Sequence, residues 1–144
     1  MGQFQIIGGM MEVSDMQTTT VTYSYNGWNA KKIGKSRIYE REIVYAGAPG
    51  PITYSLVLET SGQLNRIEQL WNDATAKDAT ITIRNTPNAA YSASLQALAG
   101  NTSTSEVLQL GDEYKYSIGA TLTFSYANYT NAKIVRVIVQ VDEI

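Results

Sequence analysis

Apolar and polar residues alternate almost without interruption in Tyr114–Tyr126 (YKYSIGATLTFSY). A second alternating stretch, Ile134–Ile144 (IVRVIVQVDEI), follows the short polar segment Ala127–Lys133. Successive side chains of a β-strand point to opposite faces, so each stretch predicts a strand with one apolar and one polar face. Together they predict a long C-terminal hairpin within a large antiparallel sheet.

The last of these strands has two chemically different faces. One face carries Val135, Val137, Val139 and Val141, which we expect to bury in the core. The other face carries Ile138 and three polar residues, and we expect it to border a water-filled lumen or a wet surface. The three polar residues of this candidate wet face are Arg136, Gln140 and Asp142.

Composition favours one β-rich domain that contacts other protein. The chain has 144 residues, long enough for a real core, and we expect a single domain over 1–144. Charged residues make up only 17%, below the roughly 25% usual for soluble domains, which indicates a surface that partly faces protein. The net charge of −2 disfavours a general nucleic-acid binder, which normally carries a basic stripe.

Several kinds of chemistry lack their usual residues. The sequence contains no His and no Cys, so disulfides, thiolate metal sites and the commonest general base are excluded. A glycosidase needs two carboxylates that face each other across the glycosidic bond, and Glu40 and Glu42, on one face of a strand, are candidates for this pair. The alternative is that both lie on a solvated strand face with Arg41 nearby. We expect no enzymatic activity, no metal and no cofactor.

The sequence shows neither a signal peptide nor a membrane-spanning segment. Met1–Gln5 has no basic region followed by an apolar stretch. No uncharged apolar run approaches the roughly 20 residues that cross a bilayer. We therefore expect synthesis in a cytoplasm and no membrane insertion.

One amphipathic helix is predicted over Thr60–Ala76. Thr60 and Gln63 have the spacing of a capping box, which satisfies free amide groups at a helix start. An apolar stripe follows at helical spacing; it consists of Leu64, Ile67, Leu70, Trp71 and Ala74. With the surrounding strands, this predicts a mainly β fold. Two antiparallel sheets would pack as a sandwich or half-barrel with the helix against them.

A basic segment and an aromatic cluster adjoin each other near the N-terminal end. Asn26-Gly27 predicts a turn, and Trp28–Arg37 after it is interpreted as a long polar loop. Its candidate contact residues are Trp28, Lys31, Lys32, Lys35 and Arg37. Such an arm could dock on an acidic neighbouring subunit, or it could simply be solvated.

The aromatic cluster consists of Tyr23, Tyr25 and Trp28. On an exposed strand face these rings could stack on sugars. The alternative is packing in the core or at an interface, where aromatic residues dominate.

Two segments resemble the tail-tube fold of tailed bacteriophages. They are Ile52–Arg84, read as a strand, a helix and a strand, and the closing portion Tyr116–Ile144. The resemblance implies a tail-tube-like structural subunit without catalytic residues. Six copies would form a ring, and stacked rings would form a tube.

The same resemblance implies partners and a location. The partners would be further copies of the chain and other tail or baseplate proteins, and DNA would pass through the tube without specific binding. The protein would reside in the virion tail after assembly in the cytoplasm of a host bacterium. Pairing of strand edges around a ring would also protect edges that otherwise invite aggregation. The alternatives are a minor tail-end or baseplate protein of the same fold and a carbohydrate-binding adhesin module.

Overall fold

The computed structural model describes residues 19–45, 52–74, 76–84, 93–110, 114–127 and 133–144. Within these ranges the chain forms eleven β-strands. In chain order they are β1 Thr20–Tyr25, β2 Trp28–Ile33, β3 Ser36–Tyr45, β4 Ile52–Val57, β5 Gly62–Trp71, β6 Lys77–Arg84, β7 Ala93–Asn101, β8 Ser105–Gln109, β9 Lys115–Tyr116, β10 Thr121–Ala127 and β11 Lys133–Glu143.

The strands form two antiparallel sheets. In the large sheet, the short strands β8 and β9 share one edge of β5, and β11, β3, β2 and β1 follow on its other side. The small sheet has the order β4, β10, β6, β7. The prediction of a mainly β fold with two antiparallel sheets is therefore confirmed.

The two sheets bury a common core between them. From β11 the core receives Val135, Val137, Val139 and Val141, each at most 1% exposed, which confirms the predicted inner face. The small sheet contributes fully buried side chains from β4, β6 and β10, among them Leu56, Ile81, Ile83, Leu122 and Phe124. The alternation of buried and exposed residues along these strands places their polar partners on the outer faces.

The predicted helix Thr60–Ala76 is wrong, and most of this segment is strand β5. The register of β5 against β11 runs from Gln140 opposite Arg66 to Val141 opposite Leu64, so Asn65 is an extra residue in a β-bulge. The bulge places both Leu64 and Ile67 in the core, three residues apart. The buried apolar residues of a strand with this insertion therefore have the spacing that is typical of a helix. None of the described ranges contains a helix long and apolar enough to cross a membrane.

The predicted C-terminal hairpin is also wrong. The alternating stretch Tyr114–Tyr126 is divided between β9 in the large sheet and β10 in the small sheet. The chain crosses between the sheets at residues 117–120, where Gly119 has a φ of 89°. Consequently β10 pairs with β4 and β6, whereas β11 pairs with β3 and β5. Alternation specifies the faces of a strand but not its neighbours.

The segment Trp28–Arg37 is not a loop, in contrast to the prediction. It consists of β2, a two-residue turn at Gly34 and Lys35, and the start of β3. The predicted turn at Asn26-Gly27 is confirmed and joins β1 to β2. Asn26 and Gly27 have φ values of 49° and 89°, as a type I′ hairpin turn requires. Lysines on a strand keep their charged ends in water while their backbone pairs in the sheet.

Candidate functional site

A groove of about 490 Å³ lies on the outer face of the large sheet, over β1, β2 and β3. Its lining comprises Thr22, Tyr23, Ser24, Asn29, Ala30, Lys31, Ile38 and Glu40. Tyr23 and Ala30 belong to the floor, because their side chains point toward the core: the Tyr23 hydroxyl bonds Glu59, and Ala30 is 4% exposed. The other six side chains share the outer face of their strands.

The strand register places these six side chains in two rows across the sheet. Ser24 lies opposite Asn29, and Asn29 lies opposite Glu40. In the second row, Thr22 lies opposite Lys31, which lies opposite Ile38. Side chains directly opposite on antiparallel strands have Cβ atoms about 4.5–5.5 Å apart. The groove therefore presents hydroxyl, amide, ammonium and carboxylate groups within reach of one ligand, next to one aliphatic side chain.

Both rows continue onto the neighbouring strands. On β11, Ile138 lies opposite Glu40 and Gln140 opposite Ile38. On β5, Glu68 lies opposite Ile138 and Arg66 opposite Gln140. From β1 to β5 this outer face spans about 19 Å, since paired strands lie about 4.7–4.9 Å apart. The groove is thus one end of a longer polar surface.

Most charges of this surface are paired; among the described residues Glu42 on β3, opposite Arg136, and Lys31 at the groove form no ion pair. Arg136 forms an ion pair with Glu40, and the hydrogen bond and charge of Glu40 raise the pKa of Arg136. Arg66 Nη2 lies 3.6 Å from Glu68 Oε1. Lys31 is exposed and forms no ion pair with any residue that the structure describes. Lys31 is therefore the uncompensated charge among the groove's side chains.

The predicted wet-face residues lie on this same outer face. The side chain of Arg136 is 52% exposed. Gln140 lies between Ile38 and Arg66. Asp142 is held in place, because it accepts hydrogen bonds from Ser36 Oγ at 2.7 Å and from Asn65 Nδ2 at 2.8 Å. Whether this face borders a lumen stays a prediction.

The aromatic cluster Tyr23, Tyr25 and Trp28 is not a sugar-stacking platform. Trp28 is 1% exposed, and its indole nitrogen donates to the Ser55 carbonyl at 3.0 Å. The Tyr25 hydroxyl donates to the Val57 carbonyl at 2.7 Å. These contacts join the large sheet to β4, because Tyr23, Tyr25 and Trp28 occupy inward-facing positions of the β1–β2 hairpin. Trp28 therefore packs in the core, as the alternative interpretation of this cluster states.

The five residues of the predicted assembly arm are distributed over both faces of the β2–β3 hairpin. Lys31 lines the groove, and Lys35 lies in the turn. Lys32 Nζ lies 3.6 Å from Glu143 Oε2, and Arg37 Nε donates to the same oxygen at 2.9 Å. Arg37 and Trp28 are therefore engaged within the subunit. A contact of the lysines with a neighbouring subunit stays a prediction.

A polar network between the sheets holds β1 beneath the groove. The Glu59 carboxylate accepts hydrogen bonds from the Tyr23 hydroxyl at 2.5 Å and from the Tyr39 hydroxyl at 2.7 Å. Burial, and then the bonds to Glu59, raise the pKa of both tyrosines, so both hydroxyls remain donors. Arg37 lies 3.4 Å from the same carboxylate and balances its charge. This network keeps Thr22 and Ser24 in fixed positions on the groove's wall.

The described residues contain no group of three or more Asp or Glu side chains arranged to hold a metal ion. Glu40 and Glu42 do share the outer face of β3, but Arg136 already engages Glu40. The groove's outer side chains offer hydroxyl, amide, ammonium and carboxylate groups, which suit binding through hydrogen bonds and charge. The expectation that the protein is not an enzyme stays a prediction.

No known protein family's sequence profile matches the chain, and no curated protein matches it. Among solved structures, it is similar to CBM29_1, a family 29 carbohydrate-binding module from Piromyces equi. The two sequences are 12% identical, the match covers 86% of this chain and 87% of that chain, and the TM-score is 0.41. It is also similar to the K3 adhesin domain of Lys-gingipain from Porphyromonas gingivalis, with 14% identity, 73% and 72% covered, and a TM-score of 0.38. These two neighbours are a carbohydrate-binding module and an adhesin domain, not tail proteins. TM-scores this low establish neither a shared fold nor a shared function.

Proposed function

We propose that this protein is a carbohydrate-binding adhesin module that recognises an extended polysaccharide on the outer face of the large sheet. The observation that supports this proposal is the groove over β1–β3, whose outer side chains form two ordered rows of polar groups. A sugar ring presents hydroxyl groups that donate and accept hydrogen bonds. Ser24, Thr22 and Asn29 can each donate and accept hydrogen bonds. Ile38 offers an apolar surface for the C–H face of a sugar ring.

The surroundings of the groove favour a polymer over a small ligand. The rows of side chains continue across β11 and β5, so a chain leaving the groove meets further polar groups. The strands that carry these groups belong to one hydrogen-bonded sheet, which positions them before the ligand arrives. Preorganisation lowers the entropic cost of binding a flexible glycan.

Affinity gel electrophoresis with a panel of soluble polysaccharides, followed by titration calorimetry on any that retard the protein, tests this proposal. The double variant Asn29→Ala, Thr22→Ala removes three polar atoms from the groove, and we expect at least a tenfold loss of affinity. Thr123→Ala, on the outer face of the small sheet, is the matched control and should bind as the wild type does. Absence of retardation by every polysaccharide, or unchanged affinity in the double variant, would contradict the proposal.

A second candidate function is the structural subunit of a phage-type tail, or its tail-end or baseplate relative. Exposed valines on two strands at sheet edges favour it: Val21 on β1 is 52% exposed and Val57 on β4 is 41% exposed. A neighbouring subunit that paired with these strands would cover them. For this candidate function, six copies would form a ring, DNA would pass through the stacked rings, and the protein would reside in the virion. The central helix that contributed to the tail-tube resemblance is, however, strand β5.

Negative-stain electron microscopy and light scattering of the purified protein distinguish the two candidates. Tubes or six-fold rings would support the tail subunit. A monomer that binds polysaccharide would support the binding module. For the tail candidate, replacing Lys31, Lys32 and Lys35 by Glu should leave the fold intact and block assembly, because charge reversal at a complementary contact is strongly unfavourable. Rings formed normally by the triple variant would exclude a docking role for these lysines.

A further inference from the structure

We infer that the groove over β1–β3 selects an acidic polysaccharide, one whose sugar units carry carboxylate groups, through the ammonium group of Lys31. This inference rests on the proposed function, because it names the class of glycan that the same groove would take. It is carried by the arrangement of charges around Lys31 and not by the shape of the groove alone.

Glu40 is the groove's own carboxylate. Lys31 lies opposite Ile38, and Glu40 lies two residues further along β3, so Glu40 is a diagonal neighbour of Lys31. Diagonal neighbours on antiparallel strands are about 7–8 Å apart, within reach of long side chains. An unengaged Glu40 would therefore be the natural partner of Lys31 and would cancel its charge.

Arg136 engages Glu40 and so removes it as a partner for Lys31. The Arg136 guanidinium donates from Nε to the Glu40 carboxylate. Arg136 comes from β11, on the side of β3 opposite to β2, so it draws the carboxylate away from Lys31. Lys31 is left as an exposed ammonium group without an ion-pair partner in the described part of the chain.

Two polar side chains lie next to the ammonium group of Lys31 on the outer face. Thr22 lies directly opposite Lys31, and Asn29 lies two residues before it on the same face of β2. A carboxylated sugar can thus place its charge at Lys31 while its hydroxyl groups reach Thr22 and Asn29. Charge complementarity of this kind acts mainly on specificity, since it rejects ligands that leave the charge unmatched.

Two polymers with the same backbone test the inference: polygalacturonate and its carboxyl-reduced form, which is neutral. We expect calorimetry at low ionic strength to give at least tenfold tighter binding of polygalacturonate, with a difference that shrinks as salt is added. Lys31→Met should abolish the difference. Lys32→Met is the matched control, because Lys32 is the next residue of β2 and contacts Glu143, and it should retain the difference.

Arg136 supplies a separate test that leaves the lining of the groove intact. Arg136→Met should free Glu40 to pair with Lys31 and should lower the affinity for polygalacturonate but not for the neutral polymer. Adding Glu40→Gln should restore the preference for polygalacturonate, which a merely structural role of Arg136 would not do. Far-ultraviolet circular dichroism and the urea midpoint verify that each variant is folded.

The possible outcomes separate this inference from the proposed function. Equal binding of the two polymers, or a preference that survives Lys31→Met, would overturn the acidic selectivity while the binding module stands. Binding of neither these polymers nor any other polysaccharide would overturn both. Equally tight, Lys31-dependent binding of single-stranded DNA would overturn the inference as well, because it would indicate general attraction of polyanions.

Discussion

Replacing Leu64 and Leu70 separately by alanine distinguishes the bulged strand β5 from the helix that the sequence predicts. A helix would bury both residues on one apolar stripe. In the structure Leu64 is 0% exposed in the core, whereas Leu70 lies on the outer face of the large sheet, opposite Arg136. The two substitutions delete the same atoms, so any difference in cost reports their environments.

The expected magnitudes follow from these environments. Leu64→Ala removes three buried carbon atoms, worth about 2.4 kcal/mol at roughly 0.8 kcal/mol each. The cavity left behind raises the cost to about 3–4 kcal/mol, within the range of about 2–5 kcal/mol for such substitutions. Water can fill the space vacated on the outer face, so Leu70→Ala should cost about 1 kcal/mol.

Urea unfolding followed by tryptophan fluorescence measures both costs. Trp28 and Trp71 are the two tryptophans of the chain, and both are buried, so their emission reports loss of the core. The slope of the transition should be unchanged in both variants, which allows their midpoints to be compared. Equal costs for Leu64→Ala and Leu70→Ala would contradict a bulged strand at this position, and so would a larger cost for Leu70→Ala.

Three further predictions concern the core, a buried hydrogen bond and the ion pair between Arg37 and Glu143. Trp28→Ala should cost about 3–5 kcal/mol in the same urea assay, whereas a loss below about 1 kcal/mol would favour an exposed position after all. Gln69→Leu removes the 2.6 Å hydrogen bond donated by the Tyr126 hydroxyl inside the core, and we expect a loss of about 1–3 kcal/mol that Tyr126→Phe partly recovers in the double variant. Burial would raise the pKa of Glu143, but the hydrogen bond and charge of Arg37 outweigh it and lower the pKa. The stabilisation by this pair is therefore complete above the ordinary glutamate pKa of about 4.3 and is lost as the pH falls through the lower folded value. Urea midpoints measured down to about pH 2.5 should fall less steeply in Arg37→Met; identical pH profiles would argue against the pair.

The local features of this fold were accessible from the sequence. The alternation in Ile134–Ile144 predicted the burial of Val135, Val137, Val139 and Val141, since the side chains of a strand alternate whatever its neighbours are. Asn26-Gly27 predicted a turn, because both residues tolerate the positive φ that the turn requires. These properties depend on the backbone of a few consecutive residues.

The candidate groove was not accessible from the sequence, because it depends on strand register. The sequence pattern assigns Thr22 to a strand and Asn29 and Lys31 to a loop, and nothing local indicates that the three side chains face one another. The ion pair that leaves Lys31 unpaired joins Glu40 to Arg136, which lie 96 residues apart. Pairing over such separations is decided by the packing of whole sheets and not by local preference.

Local sequence patterns were enough to predict the buried face of the last strand and the turn at Asn26-Gly27. Tertiary structure was needed to define β5, whose extra residue Asn65 exists as a bulge only relative to the partner strand β11. It also decided that the chain changes sheets at residues 117–120, since the sequence alternates on both sides of that crossing. The physical reason is the same in both cases. A side chain's period depends on its own backbone, whereas a bulge, a partner strand and a groove are relations between distant segments.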